Sequence, residues 1–191
     1  MKASIIITGD TKEKYLIKTI NSCLKQNFKK IQIILVFSYL SNLKKLKRLF
    51  DKKVNFKRVP KKSNLPVKDQ LYKIKDGLKI AKGKNIFLLD GDDYFKKDKI
   101  NKILSISKKN ELYIDDFSLV VNNKYFYIKE KYYKKNFLFK FFFNAWPDKI
   151  CTSCISGHKD VFINFYNKIN IEKINYLAID ILLVLYNLNN T

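Results

Sequence analysis

Five glycines, three prolines, three cysteines and one histidine are all that the 191 residues hold of those types. With so little Gly and Pro there is no flexible linker to separate domains, and no internal repeat is visible, so the whole chain is expected to share one core. Cys23, Cys151 and Cys154 are too few for a disulfide scaffold. Cys151 and Cys154 have CxxC spacing, and with His158 and Cys23 they offer four zinc ligands, but without a second cluster that signal is weak. Long apolar runs are missing too. The longest, residues 137–146 with Lys140 inside and 176–188 with Asp180 inside, fall short of the ~20 residues that span a bilayer. The apolar stretch at 3–7 is shorter than a signal-peptide core, so a reducing cytoplasm is the expected location.

Arginine is nearly absent. Only Arg48 and Arg58 occur among 39 basic residues, which face 17 acidic ones for a net charge of +22. Scattered lysine supplies diffuse positive potential, whereas the planar fork of arginine is the usual reader of bases and phosphates. No specific nucleic-acid partner is therefore expected, while attraction to an anionic membrane surface is. A basic nucleic-acid-binding protein is the lesser alternative, recognisable by steep salt dependence.

What the chain does contain is enough apolar residue, 47%, for one substantial core. Residues 4–8 form a continuous β-branched run that reads as a strand buried on both faces, ending at Gly9-Asp10. Leu16, Ile17, Ile20, Cys23 and Leu24 then recur at helical spacing, and 31–37 returns to an apolar strand. A helix carrying Leu43, Leu46, Leu49 and Phe50, a strand around 54–59, and a helix carrying Val67, Leu71, Ile74, Leu78 and Ala81 follow, the last stopped by Gly83. Residues 85–89 make a fourth buried strand, and a helix near 98–107 comes next. The alternation predicts an α/β fold, a doubly wound, mostly parallel sheet with its ligand site at the carboxyl ends of the strands. Residues 1–97 and 98–191 are read as two halves of a single domain, the second mixed, aromatic-rich and closing the pocket. The aromatic run 137–143 is expected to be buried or to contact a membrane.

The fourth strand runs straight into Asp90-Gly91-Asp92-Asp93. Three carboxylates in four residues repel one another in a crevice unless a cation relieves them. Hard oxygens beside a tight turn at Gly91 suit Mg2+ or Mn2+, ions that complete their shells with substrate phosphates. The alternative is that these acids cap the next helix and line a solvated turn.

Three stretches together resemble glycosyltransferase family 2, an inverting family with the GT-A fold. Ser4-Ile5-Ile6-Ile7-Thr8 with Lys14-Tyr15-Leu16 and residues 20–26 is similar to its first strand, turn and helix. Residues 77–93 are similar to its helix, strand and DxD motif, and Tyr94-Phe95 with Asp98-Lys99-Ile100 to the segment after it. The resemblance implies Asp92 as metal ligand, with Asp90 beside it and near the donor's ribose or sugar, and Asp93 orienting a neighbour. It places Thr8, Gly9, Asp10 and Gly91 around the donor, a UDP-sugar by expectation. Where the family shows two aspartates after its second strand, this chain has Val36-Phe37-Ser38; either Asp10 substitutes or base recognition is loose.

In the second half, Trp146-Pro147, residues 152–156 and 159–162 resemble an acceptor-side segment, and Trp146 and His158 are candidate contacts for a saccharide or lipid-linked acceptor. Asp180 stands where the family places its general base, with Ile179 in place of a preceding acid. The implied function is metal-dependent, inverting transfer from a nucleotide-diphosphate sugar to an acceptor hydroxyl, in cell-surface polysaccharide or glycolipid synthesis. A relative that binds nucleotide sugar without transferring it is the alternative.

Overall fold

The computed structural model describes residues 2–121, 124–128 and 151–189. The first half alternates strand and helix as the apolar pattern requires. β1 (Ala3–Thr8) leads to α1 (Glu13–Leu24), β2 (Ile31–Phe37), α2 (Leu43–Phe50), β3 (Asn55–Arg58), α3 (Pro66–Ile80), β4 (Asn85–Asp90) and α4 (Lys99–Ile106). Then come three short strands, β5 (Leu112–Ile114), β6 (Phe117–Val121) and β7 (Lys124–Ile128). A 3-10 turn at Thr152–Cys154 enters β8 (Ile155–His158), followed by α5 (Lys159–Lys168), a second 3-10 turn at Ile171–Lys173, and α6 (Ile179–Asn189). Strands and helices 1–4 match the sequence expectation closely. The run 137–143 and Trp146 lie outside the described residues.

The main sheet has the order β3-β2-β1-β4-β8-β5, and β6 and β7 form a separate antiparallel pair. β1 to β4 are parallel to one another, whereas β8 runs antiparallel to both β4 and β5. Pleating turns successive side chains to opposite faces, so each central strand feeds two apolar layers. Ile5, Ile7, Phe87 and Leu89 pack with Leu16, Ile20 and Ile100 on one face. Ile6, Ile86 and Leu88 pack with Leu71, Ile74, Phe162 and Leu183 on the other. This double burial explains why β1 and β4 are written as unbroken apolar runs.

Gly83 differs from its expected role. α3 ends at Ile80 and Ala81 is already extended, so Gly83 does not stop the helix. It lies against β1, where a Cβ would fall 2.3 Å from both the Ala3 carbonyl carbon and the Ser4 nitrogen. Its own N–H donates to Ser4 Oγ at 2.8 Å, and Ser4 Oγ donates to Gln32 Oε1 at 2.8 Å, which satisfies a polar group inside the core. Because backbone cannot yield as a side-chain tip does, Gly83→Ala is expected to destabilise the fold by about 1–3 kcal/mol. A lowered urea midpoint at unchanged slope is the check.

Candidate active site

β1 and β4 lie side by side, with Thr8 and Asp90 as register partners at their carboxyl ends. In an open parallel sheet the crevice at such a place receives ligands, because the chain leaves neighbouring strands in different directions. The turns that follow pack against each other. Gly91 N–H donates to Thr8 O at 2.9 Å, and a Cβ at Gly91 would come within 3.0 Å of Thr11 Cγ2 and 3.1 Å of Gly9 Cα. No glycine among the described residues has positive φ. Gly91 therefore serves the close approach of two loops rather than the handedness of a turn.

The acidic cluster is tied down on several sides. Asp90 Oδ1 accepts from Gln70 Nε2 at 2.7 Å and from Thr8 Oγ1 at 3.3 Å. Ser153 Oγ accepts the Asp90 N–H at 3.0 Å and donates to Asp93 Oδ2 at 2.6 Å. Thr19 Oγ1 donates to Asp93 O at 2.6 Å, with Gly91 O at 2.9 Å, pinning α1 to the loop. Burial first, then the charges of Asp93 and Asp92, push the Asp90 carboxyl up to about 7. Burial also raises Asp93, against the Ser153 hydrogen bond that lowers it.

The folded chain therefore holds a proton on Asp90 that the unfolded chain releases at its ordinary 3.8. The folded state binds more protons between those values, so this group's stabilising contribution is full below about 4 and lost as pH rises to about 7. Asp90→Asn should flatten the fall in stability across that window, as read by urea midpoints at several pH values.

Asp10 occupies the rim beside this cluster. Its Oδ1 accepts the N–H groups of Ser38 at 2.8 Å and Tyr39 at 3.1 Å, and its Oδ2 pairs with Lys73 Nζ at 2.6 Å. Burial would raise this carboxyl, but Lys73 and the two N–H groups outweigh it and hold it below the usual range. Lys73 also pairs with Asp69 at 2.7 Å, one helical turn away on α3. Asp10 thus ties the end of β1 to the end of β2 and to α3.

Two cavities meet at this point. One of about 540 Å³ is bordered by Thr8, Asp10, Gln70, Lys73, Asp90 and Asp92. The other, about 670 Å³, lies among Ser38, Tyr39, Arg58, Val59 and Pro60 and shares Asp10 and Lys61 with the first. The first is lined by more carboxylates, Asp10, Asp69, Asp90 and Asp92, than cations, Lys61 and Lys73.

Asp180 stands in the first turn of α6 and is 9% exposed. Burial raises its carboxyl, offset in part by the N–H groups of Ile181 and Asp180 itself, the former donating to Oδ1 at 2.8 Å. Its charge is the smallest of those that raise Asp90, so the fold brings this distant residue within electrostatic reach of the acidic cluster. Ile179, where an acid was absent, is fully buried in the core. His158 is placed elsewhere. It pairs with Asn85 at the opposite end of β4, about 16 Å from Asp90 at strand rise. There it caps α5, accepting from the Asp160 N–H at 3.4 Å, and this position does not suit the acceptor contact expected of it.

Gln70, Lys73, Asp69, Thr19 and Ser153 were not singled out from sequence. Only Asp69 and Lys73 carried a signal, opposite charges four apart on a helix. Among the described residues no group of three or more His, Cys, Asp or Glu is placed to hold a metal ion, neither the cysteines with His158 nor the acidic cluster.

Residues 4–165 match the family model of glycosyl transferase family 2. The chain belongs to this family. The fold also appears in solved structures. S. aureus TarS is similar over 100% of this chain and 34% of its own, at 18% identity and a TM-score of 0.64. TarS 1-349 in complex with UDP gives 17% identity and 0.66, covering 99% of this chain and 56% of that one. The complex with UDP-GlcNAc gives 17% and 0.58, covering 86% and 47%. The chain thus spans 34 to 56% of the length of these structures, and at such identity the likeness is one of GT-A-like fold. Comparison with curated protein sequences finds no match.

Proposed function

We propose that this chain transfers a sugar from a nucleotide-diphosphate sugar, a UDP-sugar first, to the hydroxyl of a saccharide or lipid-linked acceptor. The observation that carries the reading is the meeting of Asp90, Asp92 and the charge of Asp180 at the carboxyl ends of β1 and β4, beside a two-part cavity. Family membership supports the reaction class, and the UDP and UDP-GlcNAc complexes of TarS support the donor.

Asp90 and Asp92 fit Mg2+ or Mn2+ as hard oxygen ligands, and burial first, then the charges of Asp93 and Asp92, push up the Asp90 carboxyl, a cost that a cation would relieve. With only these two side chains to hold it, such an ion would also need oxygens from the substrate or water. A bound ion of this kind supplies charge neutralisation on the departing diphosphate. Thr8, Asp10 and Gln70 border the space for the donor, and Ser38, Tyr39 and Arg58 the space for its nucleoside. Asp180, its carboxyl raised by burial, takes the acceptor's proton as the oxygen attacks the anomeric carbon opposite the leaving group. Configuration inverts in that single displacement. The cellular setting that fits is cell-surface polysaccharide or glycolipid synthesis at the cytoplasmic face of a membrane, where a basic surface meets anionic lipid. No described helix is long and apolar enough to cross that membrane.

Thermal shifts with UDP-, GDP-, CMP- and dTDP-sugars, with and without Mn2+, test the class and the donor together. The expected result is a UDP-sugar shift that requires Mn2+ and grows between pH 6 and pH 7.5, as the cation displaces the Asp90 proton. Stabilisation by no nucleotide sugar contradicts the reading. Binding without turnover favours the non-catalytic alternative, which the missing aspartates after Val36 and Ile179 in place of an acid motivate.

A further inference from the structure

The two cysteines of the CxxC segment face each other. Cys151 Sγ and Cys154 Sγ are 3.0 Å apart, the first just before and the second at the end of the 3-10 turn Thr152–Cys154 that leads into β8. Cys154 is buried at 2% exposure, while Cys151 is only partly covered. That turn is a junction of the acidic cluster. Ser153 Oγ holds the Asp90 N–H and the Asp93 carboxylate, Ser153 O accepts from Lys99 Nζ at 2.7 Å, and Cys154 O accepts the Asp115 N–H at 3.1 Å. Cys23, the remaining cysteine, is buried within the core on the α1 face.

We propose that Cys151 and Cys154 are a redox-active dithiol, a modification site for low-molecular-weight disulfides, whose oxidation loosens the Ser153 clasp on Asp90 and Asp93. The geometry requires little motion, because the sulfurs need close only from 3.0 Å to about 2.05 Å for a bond. Cys151, the more accessible sulfur, attacks the external disulfide as its thiolate and releases one small thiol. Cys154 then gives up its proton and displaces the second small thiol from the mixed disulfide. Two cysteine thiols are oxidised by two electrons, one S–S bond forms in the protein, and one disulfide is reduced to two thiols. Drawing the sulfurs together tightens a two-residue turn that already satisfies Asp90 and Asp93 through one hydroxyl. Ser153 cannot follow both partners, and the Asp90 amide is the bond that reports the loss.

The test treats the full chain with a graded ratio of oxidised to reduced glutathione, and needs neither donor nor metal. Free thiols counted in denaturant should fall from three to one, with the missing pair mapped to a peptide joining Cys151 and Cys154. Hydrogen exchange at the Asp90 amide should speed up by about tenfold in the oxidised chain and recover in reductant. Cys151→Ser and Cys154→Ala should each keep Asp90 protection unchanged under oxidant, while Cys23→Ser responds as the parent does. Three thiols surviving a strongly oxidising ratio would overturn the redox assignment. A bond that forms with Asp90 protection unaltered would overturn the link to the acidic cluster. Both readouts are independent of sugar transfer, so a failure of the glycosyltransferase reading is seen separately in the nucleotide-sugar screen.

Discussion

Asp180→Asn is expected to lower kcat by about 10²–10⁴-fold, the usual contribution of a positioned general base. The amide keeps the size of the side chain, and its oxygen can still accept the Ile181 N–H that Oδ1 accepts in the parent. It has no affinity for the acceptor's proton. In the proposed transfer the change acts on the reacting hydroxyl and not on the donor, so nucleotide-sugar affinity should stay within about twofold while kcat and kcat/KM fall together, the pattern of an interaction made in the transition state. Removing Asp180 also takes away one of the charges that raise Asp90, so Asp90 in the variant should titrate lower. Turnover measured at saturating donor, beside a donor titration, separates these effects. Equal turnover in parent and variant would leave Asp180 as a buried, hydrogen-bonded acid with no chemical role.

Asp92→Ala is expected to abolish Mn2+-dependent donor binding and to cut activity by about 10³-fold, the scale of losing a principal electrostatic contact to developing charge. Asp92 is exposed and lines the cavity with Asp90, so its removal leaves no packing defect and the fold should persist. It also withdraws a charge that raises both Asp90 and Asp93. The variant should therefore be as stable as the parent or slightly more so between pH 4 and 7, while inactive. That combination distinguishes a ligand-holding carboxylate from a structural one, whose loss destabilises. Calorimetric titration of UDP into parent and variant, each with and without Mn2+, reads the binding half of the prediction.

The elements that sequence revealed are those whose apolar period is continuous. Ile5, Ile6 and Ile7 in β1 and Ile86 to Leu89 in β4 are fully buried, and strands shielded on both faces carry no alternation to confuse with a helix. β8 was invisible because Ile155-Ser156-Gly157-His158 has no period and owes its place to antiparallel pairing with β4, some seventy residues earlier. The acidic cluster could be read because its members are consecutive and stand at a strand end. Its supports could not, since Gln70 on α3 and Ser153 beyond β7 reach Asp90 only through tertiary folding. Its place just after α3 makes Gly83 read as a helix stop, whereas the atoms that demand a glycine belong to β1. For His158, nearness in sequence to an acceptor-like segment suggested proximity to the site, but an antiparallel strand places that residue at the far end of the sheet.

The proposed transfer requires a cation held by Asp90 and Asp92 that in turn holds a pyrophosphate, within reach of Asp180. Anomalous scattering from crystals grown with Mn2+ and UDP locates that ion directly. The account predicts a single strong manganese peak in the crevice between the ends of β1 and β4, in coordination distance of the Asp92 carboxylate and of both UDP phosphates. A peak on another face of the protein, or UDP seated in the crevice with no metal beside Asp92 at saturating Mn2+, would contradict it.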